Sequence, residues 1–142
     1  MKLMKTTLSL FSLLLIFFSC STEKKGDPTR FKQGVFEIPA GESYGKTIIT
    51  RKDSLQIEQY TKKTSISSDS LVTLKEEKHT DTLFIKWKNN FAYTLQMKNP
   101  KTDLDKDPIF VQITKVTDNS YDFTARIGYS KFKQKGTVYK VN

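Results

Sequence analysis

The stretch Thr82–Met97, TLFIKWKNNFAYTLQM, decides the fold. Successive side chains of a strand point to opposite faces. Leu83, Ile85 and Trp87 therefore share one face, and Phe91, Tyr93 and Leu95 share one face of the strand that follows. A two-residue turn at Asn89-Asn90 would put Trp87 opposite Ala92 and these two sets on opposite sides. A three-residue loop, Lys88 to Asn90, pairs Trp87 with Phe91, Ile85 with Tyr93 and Leu83 with Leu95. All the large groups then meet on one face. Such a loop puts its last residue in the left-handed region, which Asn tolerates, so Asn90 is expected to carry a positive φ.

The same reading extends in both directions. Downstream, a loop of Thr117, Asp118 and Asn119 pairs Ile113 with Phe123 and Val111 with Ala125. Upstream, a loop of Lys52, Asp53 and Ser54 pairs Ile49 with Ile57. The remaining runs, FKQGVFEI, KTIITR, LQIEQY and KGTVYKV, are short, rich in β-branched and aromatic residues, and bounded by turn formers. Residues 68–79 read either as a helix, with Ser70 as N-cap and Leu71 and Leu74 on one face, or as another strand. The fold class is all-β: an antiparallel meander of about eight strands. A meander this long removes its exposed edges by closing into a barrel, with a two-sheet sandwich as the alternative. In a barrel, Leu83, Ile85, Trp87, Phe91, Tyr93, Leu95 and Phe123 are the expected lining of any interior site.

The first twenty residues speak of location. Lys2 and Lys5 precede an apolar run from Leu8 to Phe18, closed by Ser19 and Cys20, the single cysteine of the chain. Positive start, short apolar stretch and small residue at the cut are the parts of a secretory signal. The run is shorter than the roughly 20 residues that cross a bilayer. A small residue followed by Cys is the layout of a lipoprotein signal, so residues 1–19 are expected to be removed and Cys20 to carry lipid. An ordinary signal peptide is the alternative. Residues 20–29, which include Gly26 and Pro28, are expected to form a flexible tether, and residues 30–142 the folded domain.

The chain is basic, with 24 Lys and Arg against 15 Asp and Glu and a formal net charge of +9. The lysines alternate with apolar residues, as in FIKWKNN and SKFKQKGTVYK, which reads as a solvated sheet face guarded against edge pairing. A secreted chain is not expected to meet nucleic acid. Motifs for chemistry are sparse. His79 lies alone in the charged EEKHTD segment. Asp103, Asp105 and Asp107 begin like a calcium loop, but Pro108 and Thr114 stand where Gly and Glu are needed. Glu76 and Glu77 are adjacent and point apart, and neither a G-x-S-x-G elbow nor a Gly-rich phosphate loop occurs. No catalytic residue, metal or cofactor is expected. Arg51 and Glu58 lie on strands paired with each other, as either a surface ion pair or polar groups turned into the interior.

FKQGVFEI, ITRKDSLQIEQY, IKWKNNFAYTLQMKNP and KQKGTVYKVN resemble a family of small flavobacterial (Bacteroidetes) lipoproteins. Phe91, Tyr93 and Leu95 fill its aromatic-x-Tyr-x-Leu pattern, and Phe91 stands where many members have Cys. The resemblance implies a lipocalin-like β-barrel and no reaction. A DNA topoisomerase label carried by some members does not suit a lipid-anchored chain of this size. The functional expectation is a lipid-anchored protein of the cell envelope at the outer membrane, binding a small apolar ligand or an envelope partner. The alternatives are a structural or accessory subunit with a filled core and, behind it, a hydrolase.

Overall fold

Among the described residues every strand pairs antiparallel with the next, and the last pairs with the first. The computed structural model describes residues 26–68 and 71–141. The strands are β1 (Gly34–Ile38), β2 (Thr47–Lys52), β3 (Leu55–Ser68), β4 (Leu71–Asn89), β5 (Ala92–Met97), β6 (Ile109–Val116), β7 (Ser120–Ile127) and β8 (Gln134–Lys140). Closure is made by Phe36 opposite Lys140 and Glu37 opposite Tyr139. The result is a closed eight-stranded up-and-down barrel of lipocalin-like form, which excludes the sandwich.

In β6–β7 the expected pairs Ile113–Phe123 and Val111–Ala125 are made, but not through the three-residue loop: Val116 pairs with Tyr121 and Lys115 with Asp122, and an irregularity between Ile113 and Lys115 restores the pairing further along. The β4–β5 hairpin likewise departs from the expected loop. Trp87 pairs with Tyr93, Ile85 with Leu95 and Leu83 with Met97, while Asn89 pairs with Ala92 across a two-residue turn. An irregularity between Trp87 and Asn89 leaves Lys88 as the extra residue, and this bulge keeps the apolar side chains on one face. The Asn89 side-chain oxygen accepts the Phe91 N–H at 2.7 Å, the local bond by which Asn stabilises a turn. Phe91 is thereby moved off the stripe into the turn, where it is 39% exposed. Asn90 needs no left-handed backbone: Asp53, at φ 56°, is the one non-glycine residue with positive φ among the described residues.

Asp53 marks a further correction. Lys52 pairs with Leu55 across a two-residue turn, so Ile49 faces Glu58 and Thr50 faces Ile57. Gln33 holds this turn from the side, donating to the Asp53 carbonyl at 3.2 Å and accepting the Asp53 N–H at 2.9 Å. With no bulge, β3 turns Gln56, Glu58 and Tyr60 inward instead of Leu55 and Ile57. The helix reading of residues 68–79 also fails. Val72 and Thr73 sit in a strand, and Ser68 pairs with Leu71; Ser70 lies outside the described residues. β3 and β4 run on past the barrel as a two-stranded ribbon with Ile66, Leu71, Val72 and Leu74 exposed.

The folded domain begins earlier than residue 30. Asp27 caps a 3-10 turn, Pro28–Phe31, by accepting the Thr29 N–H at 2.9 Å and the Thr29 hydroxyl at 2.7 Å. Phe31, fully buried, packs against Phe36 and Tyr121 and stops one end of the barrel. Of the expected tether, residues 26–29 therefore belong to the barrel and residues 20–25 lie outside the described residues. Cys20 and the apolar run before it also lie outside them.

The turn assignment gives a stability test. A positive φ at the first turn position alone suits Gly. Asp53→Gly is expected to be neutral or stabilising, and Asp53→Val to cost about 1–2 kcal/mol through backbone strain. Asn90→Val should cost less than Asp53→Val. Denaturant melts measure all three, and a reversed order of the two Val variants would place the left-handed residue in the wrong hairpin.

Candidate ligand cavity

The interior is organised by a charge. Arg51, at the end of β2, is 2% exposed. Its Nε donates to Gln56 Oε1 at 2.7 Å and its Nη1 to the Phe31 carbonyl at 2.9 Å. Its Nη2 donates to the hydroxyls of Tyr93 at 2.9 Å and Tyr121 at 2.7 Å, which themselves lie 2.9 Å apart in a hydrogen bond. The guanidinium also sits over the rings of Tyr93 (4.9 Å), Phe36 (5.2 Å) and Trp87 (5.7 Å). A guanidinium stays charged in a protein interior, so these acceptors and ring faces take the place of its water. Burial pushes the Tyr93 phenol well above its usual range, which keeps it a neutral hydroxyl.

From Arg51 a polar line climbs the inner face of β3. Gln56 is 2% exposed and spans Arg51 and Glu58, donating from Nε2 to Glu58 Oε1 at 2.5 Å. Glu58 faces Asp81 directly across the β3–β4 pair. One position further, the Tyr60 hydroxyl donates to Asp81 Oδ2 at 2.7 Å. The Tyr60 ring stacks on His79 (5.4 Å, 13° between planes) and meets Tyr44 edge-on at 5.8 Å. His79 Nε2 is buried without a hydrogen bond and lies 3.7 Å from the Glu77 carboxylate.

The half of the barrel away from Phe31 is hollow. The cavity is about 750 Å³. Leu83, Tyr93, Leu95, Met97, Ile109 and Phe123 form its apolar wall, and Gln56, Glu58, Tyr60 and Asp81 its polar wall. Its far end is edged by Pro39, Gly41 and Tyr44 before β2 and by Leu104, Asp105 and Asp107 before β6. The rim segment is tied to β3: the Gly45 N–H donates to the Thr61 carbonyl at 2.7 Å and the Lys63 N–H to the Ser43 carbonyl at 2.9 Å. Phe123 can lie across β8 because its partner there is Gly136, where a Cβ would come within 2.8 Å of the ring.

Of the residues expected to line a site, Leu83, Tyr93, Leu95 and Phe123 do face the cavity. Ile85 is buried in the core cluster without lining it. Trp87 packs at the stopped end, 4.6 Å from Tyr93 and with Lys32 Nζ 5.5 Å from its ring. Phe91 is outside. Arg51 and Glu58 both face inward, with Gln56 between them, and make no ion pair with each other. Gln56, Tyr60 and Asp81 were not singled out in the sequence. The signal that finds the first two is the Asp53-Ser54 turn: with a two-residue loop, the face of Arg51 continues as Gln56, Glu58 and Tyr60.

Burial raises the Glu58 carboxyl above its ordinary value; the Gln56 hydrogen bond and the Arg51 charge pull it down, and Asp81 pushes it up. Burial, followed by the bond to Asp81, raises the Tyr60 phenol in the same way. Two of the three aspartates of the β5–β6 connection are committed to local structure. Asp105 Oδ2 accepts the Lys101 and Thr102 N–H groups at 3.0 Å each, and Asp103 pairs with Lys106 at 2.7 Å. Among the described residues, no three His, Cys, Asp or Glu side chains are grouped to hold a metal ion.

Fold and site together define a closed antiparallel barrel, stopped at one end by Phe31 and Arg51 and hollow at the other. Compared with protein-family models, curated proteins and solved structures, the chain matches none.

Two outcomes follow from this interior. Arg51→Lys replaces a fork that serves four acceptors with a point donor, and should cost about 3 kcal/mol or more in a denaturant melt. A cost below about 1 kcal/mol would mean that the acceptors re-partner freely. For Glu58, the folded state keeps a proton that the unfolded state has lost, in the window between the ordinary value of about 4.3 and the raised one. Its contribution to stability falls as pH rises through that window. Glu58→Gln keeps the acceptor for Gln56 and should stabilise the protein at pH 7, with the gain absent below the ordinary value. Melts at several pH values check this; an equal or lower stability at pH 7 would show the carboxylate to be well compensated.

Proposed function

We propose that this protein is a non-enzymatic binding barrel of the cell envelope, anchored through lipid on Cys20, which holds a small amphipathic molecule in its hollow half. The observation that carries the reading is the cavity. Its volume of about 750 Å³ falls in the range of small-molecule sites. Its wall divides into an apolar side and one line of polar groups, the composition that orients a ligand with an apolar body. A filled interior would have favoured an accessory role, and the stopped end shows how densely this chain packs where it needs no space. The anchor rests on the N-terminal sequence, where the apolar run meets the single cysteine.

Ala125 lines the cavity on β7, beside Phe123. Titration with N-phenyl-1-naphthylamine, a neutral probe that brightens in apolar surroundings, should give saturable binding. Ala125→Phe fills the space and should weaken that binding at least about tenfold, while a cooperative melt shows that the barrel remains folded. Unchanged affinity in the filled variant would remove the cavity from the binding. Anchoring is read separately: labelled palmitate should enter the native chain in cells and not Cys20→Ser, and equal labelling of both would defeat the lipid assignment.

A further inference from the structure

The polar wall has a sign. Glu58 and Asp81 stand opposite each other on β3 and β4, and both face the cavity. Asp105 and Asp107 add two more carboxyl groups at the rim. Lys135 is the basic residue against the cavity, yet it is exposed, and its neighbours Gly136 and Val138 are the inward positions of β8. A chain with an excess of nine positive charges has therefore put carboxylates on the inside of its hollow end.

These two carboxylates are under-used by the protein. Glu58 accepts one hydrogen bond, from Gln56 to Oε1, and its other oxygen has none. Asp81 accepts one, from Tyr60 to Oδ2, and its Oδ1 has none. Neither forms a salt bridge, although lysines abound on the same ribbon and pair there with Glu77. Arg51 is the nearest interior cation, and its donors are taken up by Gln56, Phe31, Tyr93 and Tyr121. Burial raises the Glu58 carboxyl above its ordinary value, against the opposing pull of the Gln56 hydrogen bond and the Arg51 charge.

We propose that the cavity selects a cationic amphiphile, an apolar body carrying an amine, with the amine seated between the Glu58 and Asp81 carboxylates. The inference rests on the binding role proposed above and specifies its ligand. An ammonium brings donors and a positive charge to the one oxygen of each carboxylate that accepts no bond from the protein, and such charge-assisted bonds are the strong ones. A neutral head group would satisfy the oxygens without offsetting the charge. An anionic head would add a third negative charge to a low-dielectric space, which is strongly disfavoured. The apolar wall of Leu83, Leu95, Met97 and Phe123 covers the body of the molecule.

Three probes of equal chain length separate the possibilities: decylamine, decanol and decanoate, each titrated calorimetrically into the full-length chain at pH 7.5 below its micelle concentration. Decylamine should bind at least about tenfold more tightly than decanol, and decanoate most weakly. In Glu58→Gln with Asp81→Asn, both of which keep their acceptor oxygens, the ratio of amine to alcohol affinity should fall to near one. Surface attraction cannot imitate this result, since the basic exterior favours decanoate. Equal affinities for all three, or a preference for decanoate, would overturn the cationic selectivity and leave a binding cavity standing. Failure of all three, together with the neutral naphthylamine, would overturn the binding role itself. A preference for the amine that survives the double substitution would overturn the assignment to these two carboxylates.

Discussion

The barrel is built around one buried guanidinium. Arg51 joins the N-terminal turn through the Phe31 carbonyl, β3 through Gln56, β5 through Tyr93 and β7 through Tyr121. Leaving such a charge unpaired would cost several kcal/mol, so each of those side chains is fixed by it. Tyrosine is the right partner for two reasons. Its ring supplies a π face and its hydroxyl an acceptor, and neither introduces a second charge. The stopped end is therefore polar at its centre and apolar around it, with Phe31, Phe36 and Trp87 surrounding the cation.

That choice propagates along β3. The residue opposite Arg51 is Gln56, and an Arg there demands an acceptor. Gln56 has a second end, an amide N–H donor, which needs an acceptor in turn and finds Glu58. The alternation of a strand then brings Tyr60 to the same face. Asp81 and the Tyr60 hydroxyl complete the line at the rim. The polar wall is thus a chain of donor and acceptor requirements that starts in the stopped end and finishes with unfilled acceptors in the hollow one. One interior charge both closes the barrel and sets the polarity of the space it leaves open.

The all-β class, the closed meander and the inward stripe of β4 to β7 were legible in the sequence because parity is strict and the apolar residues there are large. Leu83, Ile85, Val111, Ile113 and Tyr93 could hardly have faced water together. The turns were less legible, because a two-residue turn with a bulge and a three-residue loop satisfy the same parity. Asn89 and Asn90 both suit a turn, and the difference lies in which one bonds the backbone of Phe91. On β3 the apolar rule pointed the wrong way. Leu55 and Ile57 make the outward face look like a core face, and nothing local reveals that Arg51 must be met by Gln56. The polar half of the cavity was hidden for that reason: its residues are recognised only through a partner on another strand.

The inversion of β3 also bears on what the cavity is for. Had Leu55 and Ile57 turned inward, the barrel would have buried two more aliphatic side chains, each contributing about 1.5–3 kcal/mol. The chain instead turns Gln56, Glu58 and Tyr60 to the interior and leaves Leu55 and Ile57 half-buried on the outside. Stability of the stopped end accounts for Arg51 and Gln56. It accounts for Glu58 only as the acceptor of the Gln56 amide, and it leaves Asp81, bonded to Tyr60, outside the Arg51 network. Each carboxylate keeps one oxygen that accepts no hydrogen bond from the protein and stays open to the cavity. The carboxylates of the hollow end are the groups that the proposed ligand would meet, while the guanidinium of the stopped end belongs to the fold that holds it open.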